Sequence, residues 1–216
     1  MLLAFALFAI NAHAQRPTAS DPWESEIHQF EIADRAHAPK PGGIVFIGSS
    51  SIRMWTTLSE DLPGRNALNR GFGGSRIADA TRYVPRIVSP YRPRMVVLYA
   101  GDNDIEEGAS AQQVLEDFKA FVAAVRKDAP RTPIVFISIK PSPSRARNFG
   151  IMRLANAMVR AYALTKHGVR TVDVFDPMLG KDGQPREELF GPDRLHMNAS
   201  GYQLWTSIIA PALTSR

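Results

Sequence analysis

The strongest constraint on the fold of this chain is the alternation of short apolar runs with longer segments of helical spacing. Each run is rich in β-branched residues and is followed by a loop and then by apolar residues three or four positions apart. This alternation is typical of β-α-β units, whose right-handed crossovers place helices on both faces of a parallel sheet. We therefore predict a three-layer α/β/α sandwich around a five-stranded parallel sheet. The predicted strands are 44–47, 67–70, 95–100, 134–139 and 171–175.

Helices are predicted between and around these strands. Asp21-Pro22 can open the first helix, because proline is tolerated at the first helical position. Ser110 with Gln113 forms a capping-box pattern ahead of another helix, and Gly168 ends the longest one. The predicted helices run from Asp21-Pro22 to before Pro39, from after Ser51 through Leu58, over 77–87, from Ser110 to before Pro130, over 145–167 and over 199–213.

Composition restricts the class of protein. The chain has 216 residues, of which 44% are hydrophobic and 22% are charged, which suits one globular domain with its own core. It contains no cysteine, which excludes disulfides, a thiolate nucleophile and cysteine-ligated zinc. The formal net charge of +5 permits contact with anionic surfaces, but no nucleic-acid-binding motif accompanies it. We therefore expect no nucleic-acid partner.

The first residues have the pattern of a secretory signal peptide. Leu2 to Ile10 form a short apolar run, and Ala12-His13-Ala14 precedes Gln15 as a small-x-small cleavage pattern. The run is too short to cross a bilayer, and no other stretch could do so. We predict cleavage after Ala14, a single domain over 15–216, and a periplasmic or secreted protein. The alternative is that the apolar run forms a buried N-terminal helix.

Polar residues follow four of the predicted strands at the point where each strand ends. Ser50 follows the first strand, the glycine-rich segment 71–75 follows the second, and Asn103 follows the third. Asp193 and His196 come after the fifth. In a parallel sheet these ends share one edge, where open α/β sheets bind their ligands. A hydroxyl, backbone amides, a carboxamide and an Asp-His pair supply the nucleophile, oxyanion donors, base and orienting group that acyl transfer needs.

Each of these residues also has a structural interpretation. Ser50 could be only a turn residue, and Asn103 could cap a helix or close an Asx-turn. Gly74 lets the backbone approach a substrate and point its N–H inward, or it belongs to a plain glycine-rich turn. Asp193 could hold the His196 ring through Nδ1 in the tautomer that a general base requires, or it could only form a turn.

His196 is the remaining candidate for a general base. His13 lies in the predicted signal peptide, and His28 and His37 lie on or just after the first predicted helix. His167 ends a predicted helix, where a positive charge interacts favourably with the helix dipole. These four histidines are therefore interpreted as structural or incidental.

Several other motifs are absent or incomplete. There is no G-x-S-x-G motif, which disfavours the α/β-hydrolase fold. The G-x-G after the second strand lacks its third glycine, because Arg76 occupies that position, and dinucleotide binding is therefore disfavoured. The segment that begins at Asp102 imitates a calcium loop but has Glu107 where glycine is required. We predict neither a metal ion nor a cofactor.

Four short blocks, in this order along the chain, resemble those of the SGNH/GDSL hydrolase family, which is named for its invariant Ser, Gly, Asn and His. The blocks are Phe46-Ile47-Gly48-Ser49-Ser50, Asn69-Arg70-Gly71-Phe72-Gly73-Gly74, Gly101-Asp102-Asn103-Asp104 and Asp193-Arg194-Leu195-His196. Together they span most of the chain after residue 14. The one departure is Ser49, where the family name expects Asp. The resemblance implies the flavodoxin-like sandwich of SGNH hydrolases.

The resemblance also implies a role for each block. Ser50 would be the nucleophile, His196 the base and Asp193 its partner. The N–H groups of Ser50 and Gly74 and the side-chain amide of Asn103 would form the oxyanion hole. The implied activity is that of a carboxylic ester hydrolase, an esterase or lipase that acts on a small-molecule or carbohydrate ester, with short-chain acyl, acetyl and lysolipid esters as candidates. The alternative is a non-catalytic module of the same fold that binds a glycan or a cell-envelope polymer.

Basic residues dominate the stretch between Ala129 and Val172, which contains no Asp or Glu. Because Lys140-Pro141 leaves a predicted strand at the same edge as Ser50, one hypothesis is that anionic substrates or envelope surfaces are attracted there. The alternative is a solvated basic face of a helix.

Overall fold

The sheet has five strands, and all of them are parallel. In a computed structural model, which describes residues 21–214, the strands are β1 (Ile44–Gly48), β2 (Ala67–Gly71), β3 (Met95–Tyr99), β4 (Ile134–Ile137) and β5 (Val169–Val172). Their order across the sheet is β2-β1-β3-β4-β5. The predicted signal peptide over 1–14 lies outside the described residues. Among the residues that are described, no helix is long and apolar enough to cross a membrane.

Helices cover the sheet and connect its strands. Within residues 21–214 they are α1 (Glu24–Ala36), α2 (Ser50–Arg53), α3 (Leu58–Asp61), α4 (Ile77–Ile87), α5 (Asp102–Glu106), α6 (Ala111–Asp128), α7 (Phe149–Leu164) and α8 (Ala199–Ala212). Short 3₁₀ segments occur at Ser89–Tyr91, Pro143–Asn148, Asp176–Met178 and Glu187–Leu189. The predicted cap of α6 is present, since Ser110 Oγ accepts the N–H of Gln113 at 3.1 Å.

The sheet is buried on both faces. Val96 and Leu98 of β3 belong to a core that they share with α1, α4, α6 and α7. Val97 and Tyr99 of the same strand belong to a second core with α2, α3 and α8. Alternate residues of one strand therefore pack on opposite sides, as expected where helices cover both faces of a parallel sheet. The predicted three-layer α/β/α fold is confirmed.

The segment after β1 differs from the prediction of one helix from after Ser51 through Leu58. Helix α2 starts two residues earlier, at Ser50, and ends at Arg53, and α3 is a separate helix. The cause is Asn69 on β2, whose Nδ2 donates to the carbonyl oxygens of Ile52 at 2.6 Å and Trp55 at 3.2 Å. A side chain from another strand thus satisfies carbonyls that a continuing helix would have used.

The longest predicted helix is also shorter in the structure. The residues Pro143–Asn148 form a 3₁₀ segment, and α7 covers only Phe149–Leu164. The helical conformation is interrupted at Arg145, whose φ is −116°. The Arg145 side chain contacts Asp102, the first residue of α5, so this interruption belongs to the candidate site described below.

Strand β5 begins and ends earlier than predicted. It starts directly after Gly168, which has a φ of +72°, and it ends at Val172. Beyond that point, Ser138 Oγ accepts the N–H groups of Val174 at 2.9 Å and Phe175 at 3.2 Å. These two N–H groups are therefore not available to extend the strand ladder.

The strand order places three of the predicted site residues side by side. Because β1 lies between β2 and β3, Ser50 has the segment containing Gly74 on one side and Asn103 on the other. The register pairs Gly48 with the last residues of both neighbouring strands. The three strands therefore end at the same level, and their following residues meet at one edge of the sheet.

Candidate active site

The turn after β1 holds Ser50 at the start of α2. Gly48 has a φ of +139°, and a Cβ at this position would lie 1.8 Å from the carbonyl oxygen of Tyr99, so only glycine fits. Ser49 then donates its N–H to the same carbonyl at 2.9 Å. Ser49 and Ser51 are buried, whereas Ser50 is partly exposed. Ser50 is therefore the accessible member of the three adjacent serines.

The structure brings Ser50, His196 and Asp193 together. Ser50 Oγ lies 2.9 Å from Nε2 of His196, and Nδ1 of the same ring lies 2.6 Å from Oδ2 of Asp193. Both are hydrogen-bond distances. A proton on Nδ1 leaves Nε2 as an acceptor for the Ser50 hydroxyl. This series of hydrogen-bonded side chains can take a proton from the Ser50 oxygen and stabilise the charged imidazole that results.

Asp193 is held as a carboxylate. Its Oδ1 accepts the N–H groups of Leu195 at 3.0 Å and His196 at 2.9 Å, while Oδ2 faces the imidazole. Burial acts to raise the pKa of Asp193, but the hydrogen bonds from the His196 ring and the two N–H groups outweigh it and lower the pKa to about 2. The side chain is therefore negatively charged at neutral pH and favours the proton on Nδ1 of His196.

Helix α8 fixes the loop that carries Asp193 and His196. Asn198 caps α8 and also donates from Nδ2 to the carbonyl of Phe190 at 3.0 Å. One turn further on, Tyr202 donates its hydroxyl proton to the carbonyl of Ser51 at 3.0 Å. Helix α8 therefore fixes the imidazole loop relative to α2.

Gly74 lies in a turn that α1 contacts from outside. Its φ is +73°, a backbone conformation that favours glycine, although a Cβ at this position would meet no other atom within 4 Å. Gly73 is bound at both of its backbone groups: Trp23 Nε1 donates to its carbonyl at 2.8 Å, and Glu26 accepts its N–H at 3.2 Å. No motif in the sequence indicated that the first helix would reach this loop.

Asn103 links the loops that follow β2 and β3. Its Nδ2 donates to the carbonyl of Ser75 at 3.0 Å, and its Oδ1 accepts from Nη2 of Arg145 at 2.9 Å. It lies inside α5, and within residues 21–214 its side chain bonds no backbone group of that helix. Asn103 is therefore not a cap of α5.

A buried group of charged side chains beside Asn103 was not predicted from the sequence. Oδ2 of Asp102 lies 3.3 Å from Nζ of Lys140 and 3.1 Å from Nη1 of Arg145. Burial acts to raise the pKa of Asp102, but the two cations outweigh it and keep the pKa below its usual value. Burial lowers the pKa of Lys140, and Asp102 opposes that shift. The available signal was a lysine at the end of a mostly apolar run, 134–140.

This pairing changes the interpretation of the basic stretch between 129 and 172. The Lys140 side chain is fully buried, and that of Arg145 is 11% exposed. Arg147 donates to Glu106 on α5. Lys140 therefore does not contribute to a basic surface, because its side chain is buried. For the remaining basic residues of the stretch, the attraction of anionic substrates or envelope surfaces stays a prediction.

Asp104 is a second buried carboxyl group in the same block. Its Oδ1 accepts the N–H of Ile77 at 3.1 Å, and its Oδ2 has no hydrogen-bond partner among the described residues. Burial raises the pKa of Asp104 to about 6, although the Ile77 N–H acts in the opposite direction. The neutral carboxylic acid is thus favoured in the folded protein up to mildly acidic pH.

Asp104→Asn should become more stable relative to the wild type as pH rises. A raised pKa contributes stability below the unfolded value of 3.8, and this contribution is lost as pH rises through about 6. Asn keeps an oxygen for the Ile77 N–H but has no charge to bury. The difference in free energy of unfolding should therefore move by up to ~3 kcal/mol in favour of the variant between about pH 4 and about pH 8. Urea unfolding at both pH values measures this shift. Asp128→Asn at the exposed end of α6 is the control, and a pH-independent difference for Asp104→Asn would contradict the explanation.

Fold and site together define a class of protein. An α/β/α sandwich that places a hydroxyl, an imidazole and a carboxylate in hydrogen-bond contact at the carboxyl edge of its sheet is suited to acyl transfer. The chain belongs to the GDSL-like lipase/acylhydrolase family, whose model matches residues 47–204. The family resemblance of the four sequence blocks is therefore confirmed. No curated protein matches the chain significantly.

Solved structures share the fold at low sequence identity. A Streptococcus pneumonia protein whose description refers to platelet activating factor is 22% identical with a TM-score of 0.77, over 88% of this chain and 92% of that one. A GDSL-like lipase from Bacteroides thetaiotaomicron is 19% identical with a TM-score of 0.73, over 88% and 97%. A Bacteroides fragilis protein assigned to the acylhydrolases is 22% identical with a TM-score of 0.72, over 86% and 94%. At these identities the likeness shows the fold.

Proposed function

We propose that this protein is a serine ester hydrolase that works through an acyl-enzyme on Ser50. The observation that carries the proposal is the contact of Ser50 Oγ with His196 Nε2 at 2.9 Å, continued from Nδ1 to Asp193 at 2.6 Å. His196 takes the hydroxyl proton as Ser50 Oγ attacks the ester carbonyl carbon, and it returns that proton to the leaving alcohol. Water then attacks the acyl-enzyme with His196 again as the base, and the acid is released.

The negative charge that develops on the carbonyl oxygen needs hydrogen-bond donors. In our proposal these are the N–H groups of Ser50 and Gly74 and the side-chain amide of Asn103. Neither N–H group has an acceptor within the described part of the chain. Asn103 Nδ2 carries two hydrogens, of which the Ser75 carbonyl takes one. These features support an oxyanion hole at the ends of β1, β2 and β3.

The proposed substrate is a short-chain acyl or acetyl ester, carried by a carbohydrate or a lysolipid. We further propose a single domain over 15–216 that is exported after cleavage behind Ala14, a proposal supported by the apolar run and the small-x-small pattern of the first residues. N-terminal sequencing of the exported protein should begin at Gln15. Retention of Met1 in that protein would contradict the proposal.

Turnover of p-nitrophenyl acetate and labelling with a fluorophosphonate test the proposed function together. The wild type should hydrolyse the ester, and the fluorophosphonate should add once, on Ser50. Mass spectrometry that places the adduct on Ser49 or Ser51 would refute the assignment. A protein that hydrolyses no member of a panel of acyl and sugar esters, yet binds a glycan, would instead be a non-catalytic binding module.

Asn103→Ala should lower kcat by about 10²–10³ with little change in KM, because the donor acts fully only when charge has developed. Asn103→Asp should be at least as damaging, since a carboxylate cannot donate to the Ser75 carbonyl and repels the oxyanion. Steady-state kinetics and melting temperatures measure both variants. Asn156→Ala is the control: among the described residues its amide bonds only the backbone of Ile139, at 2.8 and 3.0 Å, so the variant should lose stability but keep kcat. A near-normal kcat for Asn103→Asp would exclude the oxyanion role.

A further inference from the structure

The side-chain amide of Asn103 is oriented from both ends. Arg145 Nη2 lies 2.9 Å from Oδ1, and the carbonyl oxygen of Ser75 lies 3.0 Å from Nδ2. A guanidinium has only donors and a carbonyl oxygen has only acceptor sites, so both neighbours require the same orientation. A flipped amide would place its NH₂ against the guanidinium and its oxygen against the carbonyl.

The guanidinium that orients Asn103 is itself fixed inside the protein. Asp102 Oδ2 contacts Arg145 Nη1 at 3.1 Å and Lys140 Nζ at 3.3 Å, and no side chain of the three is more than 11% exposed. Glu106 is more distant, at 3.9 Å from Nε of Arg145. Burying such charges is costly, and replacing them by apolar side chains is often neutral or stabilising. Stability alone is therefore a weak explanation for this group.

We propose that Arg145 is a positioning residue for the ester hydrolase reaction, and this inference rests on the function proposed above. Arg145 orients the Asn103 amide and polarises it, so that the second hydrogen on Nδ2 meets the oxyanion. Asp102, which Lys140 contacts from its other side, holds the guanidinium in place. A hydrogen bond from a charged donor draws electron density onto Oδ1 and makes the Nδ2 hydrogens better donors. Because the benefit grows with the charge on the oxyanion, it increases kcat and leaves KM nearly unchanged.

Arg147 offers a matched control for Arg145. It lies in the same 3₁₀ segment and donates to Glu106, but its side chain is 67% exposed and does not contact Asn103. Arg145→Gln should lower kcat for p-nitrophenyl acetate roughly 10- to 100-fold with KM little changed, a smaller loss than removal of the donor itself. Arg147→Gln should change kcat by less than about twofold.

Arg145→Lys is a second variant that tests the proposal if Arg145→Gln does not fold. Lysine retains a positive charge beside Asp102, but it lacks the forked geometry with which arginine contacts Asp102 through Nη1 and donates to Asn103 through Nη2. We expect kcat to fall roughly tenfold in this variant. Equal kcat values for Arg145→Lys, Arg147→Gln and the wild type would overturn the proposal.

A double-mutant cycle separates positioning from a general structural role. If Arg145 acts through the amide, Arg145→Lys should change the residual kcat of Asn103→Ala by less than about twofold. An equal factor in the wild-type and Asn103→Ala backgrounds would show that Arg145 acts independently of Asn103, and the proposal would be wrong.

The orientation of the amide can also be measured without turnover. The side-chain NH₂ signals of Asn103, identified by their loss in Asn103→Ala, should shift in the ¹⁵N–¹H spectrum of Arg145→Lys and stay in place in Arg147→Gln. If the wild type hydrolyses no ester, the proposed function fails and this proposal fails with it. If the wild type is active through Ser50 but neither the Asn103 signals nor kcat respond to Arg145→Lys, only the positioning role is overturned.

Discussion

Ser50→Ala should reduce ester hydrolysis to the level of the residual activity of the oxyanion hole, a loss of up to ~10⁶ in kcat. The reason is that no other oxygen can take over. Ser50 Oγ is the atom that lies 2.9 Å from His196 Nε2, whereas Ser49 and Ser51 are 0% and 1% exposed. Steady-state hydrolysis of p-nitrophenyl acetate with purified wild type and variant measures the loss, and circular dichroism checks that the variant is folded.

The two neighbouring serines provide the controls for this prediction. Their hydroxyl oxygens are buried and have no hydrogen-bond partner among residues 21–214. Ser49→Ala and Ser51→Ala therefore remove no contact with the imidazole, and we expect kcat within about twofold of the wild type. Abolished hydrolysis in Ser51→Ala together with an active Ser50→Ala would show that the nucleophile is assigned to the wrong serine.

Asp193→Asn should lower kcat by about 10⁴ while leaving the fold intact, because it imposes the wrong tautomer on His196. The N–H groups of Leu195 and His196 at 3.0 and 2.9 Å from Oδ1 require an oxygen there, so the introduced NH₂ faces Nδ1 of the ring. Nδ1 must then accept, and the proton moves to Nε2. A protonated Nε2 cannot take the proton of Ser50. Steady-state kinetics with p-nitrophenyl acetate measure the loss in kcat, and a melting curve checks that the variant is folded.

Asp182→Asn is the matched control for Asp193→Asn. Asp182 accepts the N–H of Gln184 at 3.0 Å in a turn of similar geometry, but it contacts no histidine. Its replacement should leave kcat unchanged within about twofold. If Asp193→Asn retained at least a tenth of the wild-type kcat, Asp193 would be only a turn former.

The architecture could be predicted because its signals are local. A strand covered on both faces is apolar at every position, as in Ile44–Gly48, and this pattern identified β1, β3 and β4. The edge strands β2 and β5 contain polar residues and were predicted from their place in the alternation of strands and helices. The boundaries that were wrong depend on side chains from elsewhere in the sheet. Asn69 ends α2 by bonding the carbonyls of Ile52 and Trp55, and Ser138 takes the N–H groups beyond β5. Such contacts leave no periodic pattern in the segments that they terminate.

The candidate site likewise combines residues that could be located from the sequence with residues that could not. The meeting of Ser50 and His196, 146 positions apart, could be expected because the ends of parallel strands share an edge. The function of Arg145 could not be predicted in this way. A lysine or an arginine after a strand is normally solvated, and only the packing of 3₁₀ segment 143–148 against α5 brings Arg145 to Asp102 and Asn103.

The contact of α1 with the glycine loop has a consequence for choosing the ends of recombinant versions of this protein. Helix α1 precedes residue 47, where the match to the family model begins. Nevertheless, Ile27 is fully buried, and Trp23 and Glu26 bind both backbone groups of Gly73. A chain trimmed to the matched segment would expose the core beneath α1 and leave the turn next to Gly74 without these partners. Expression boundaries should therefore be set from the packing of α1, with a start no later than Asp21, whose carboxylate lies 2.7 Å from Arg82.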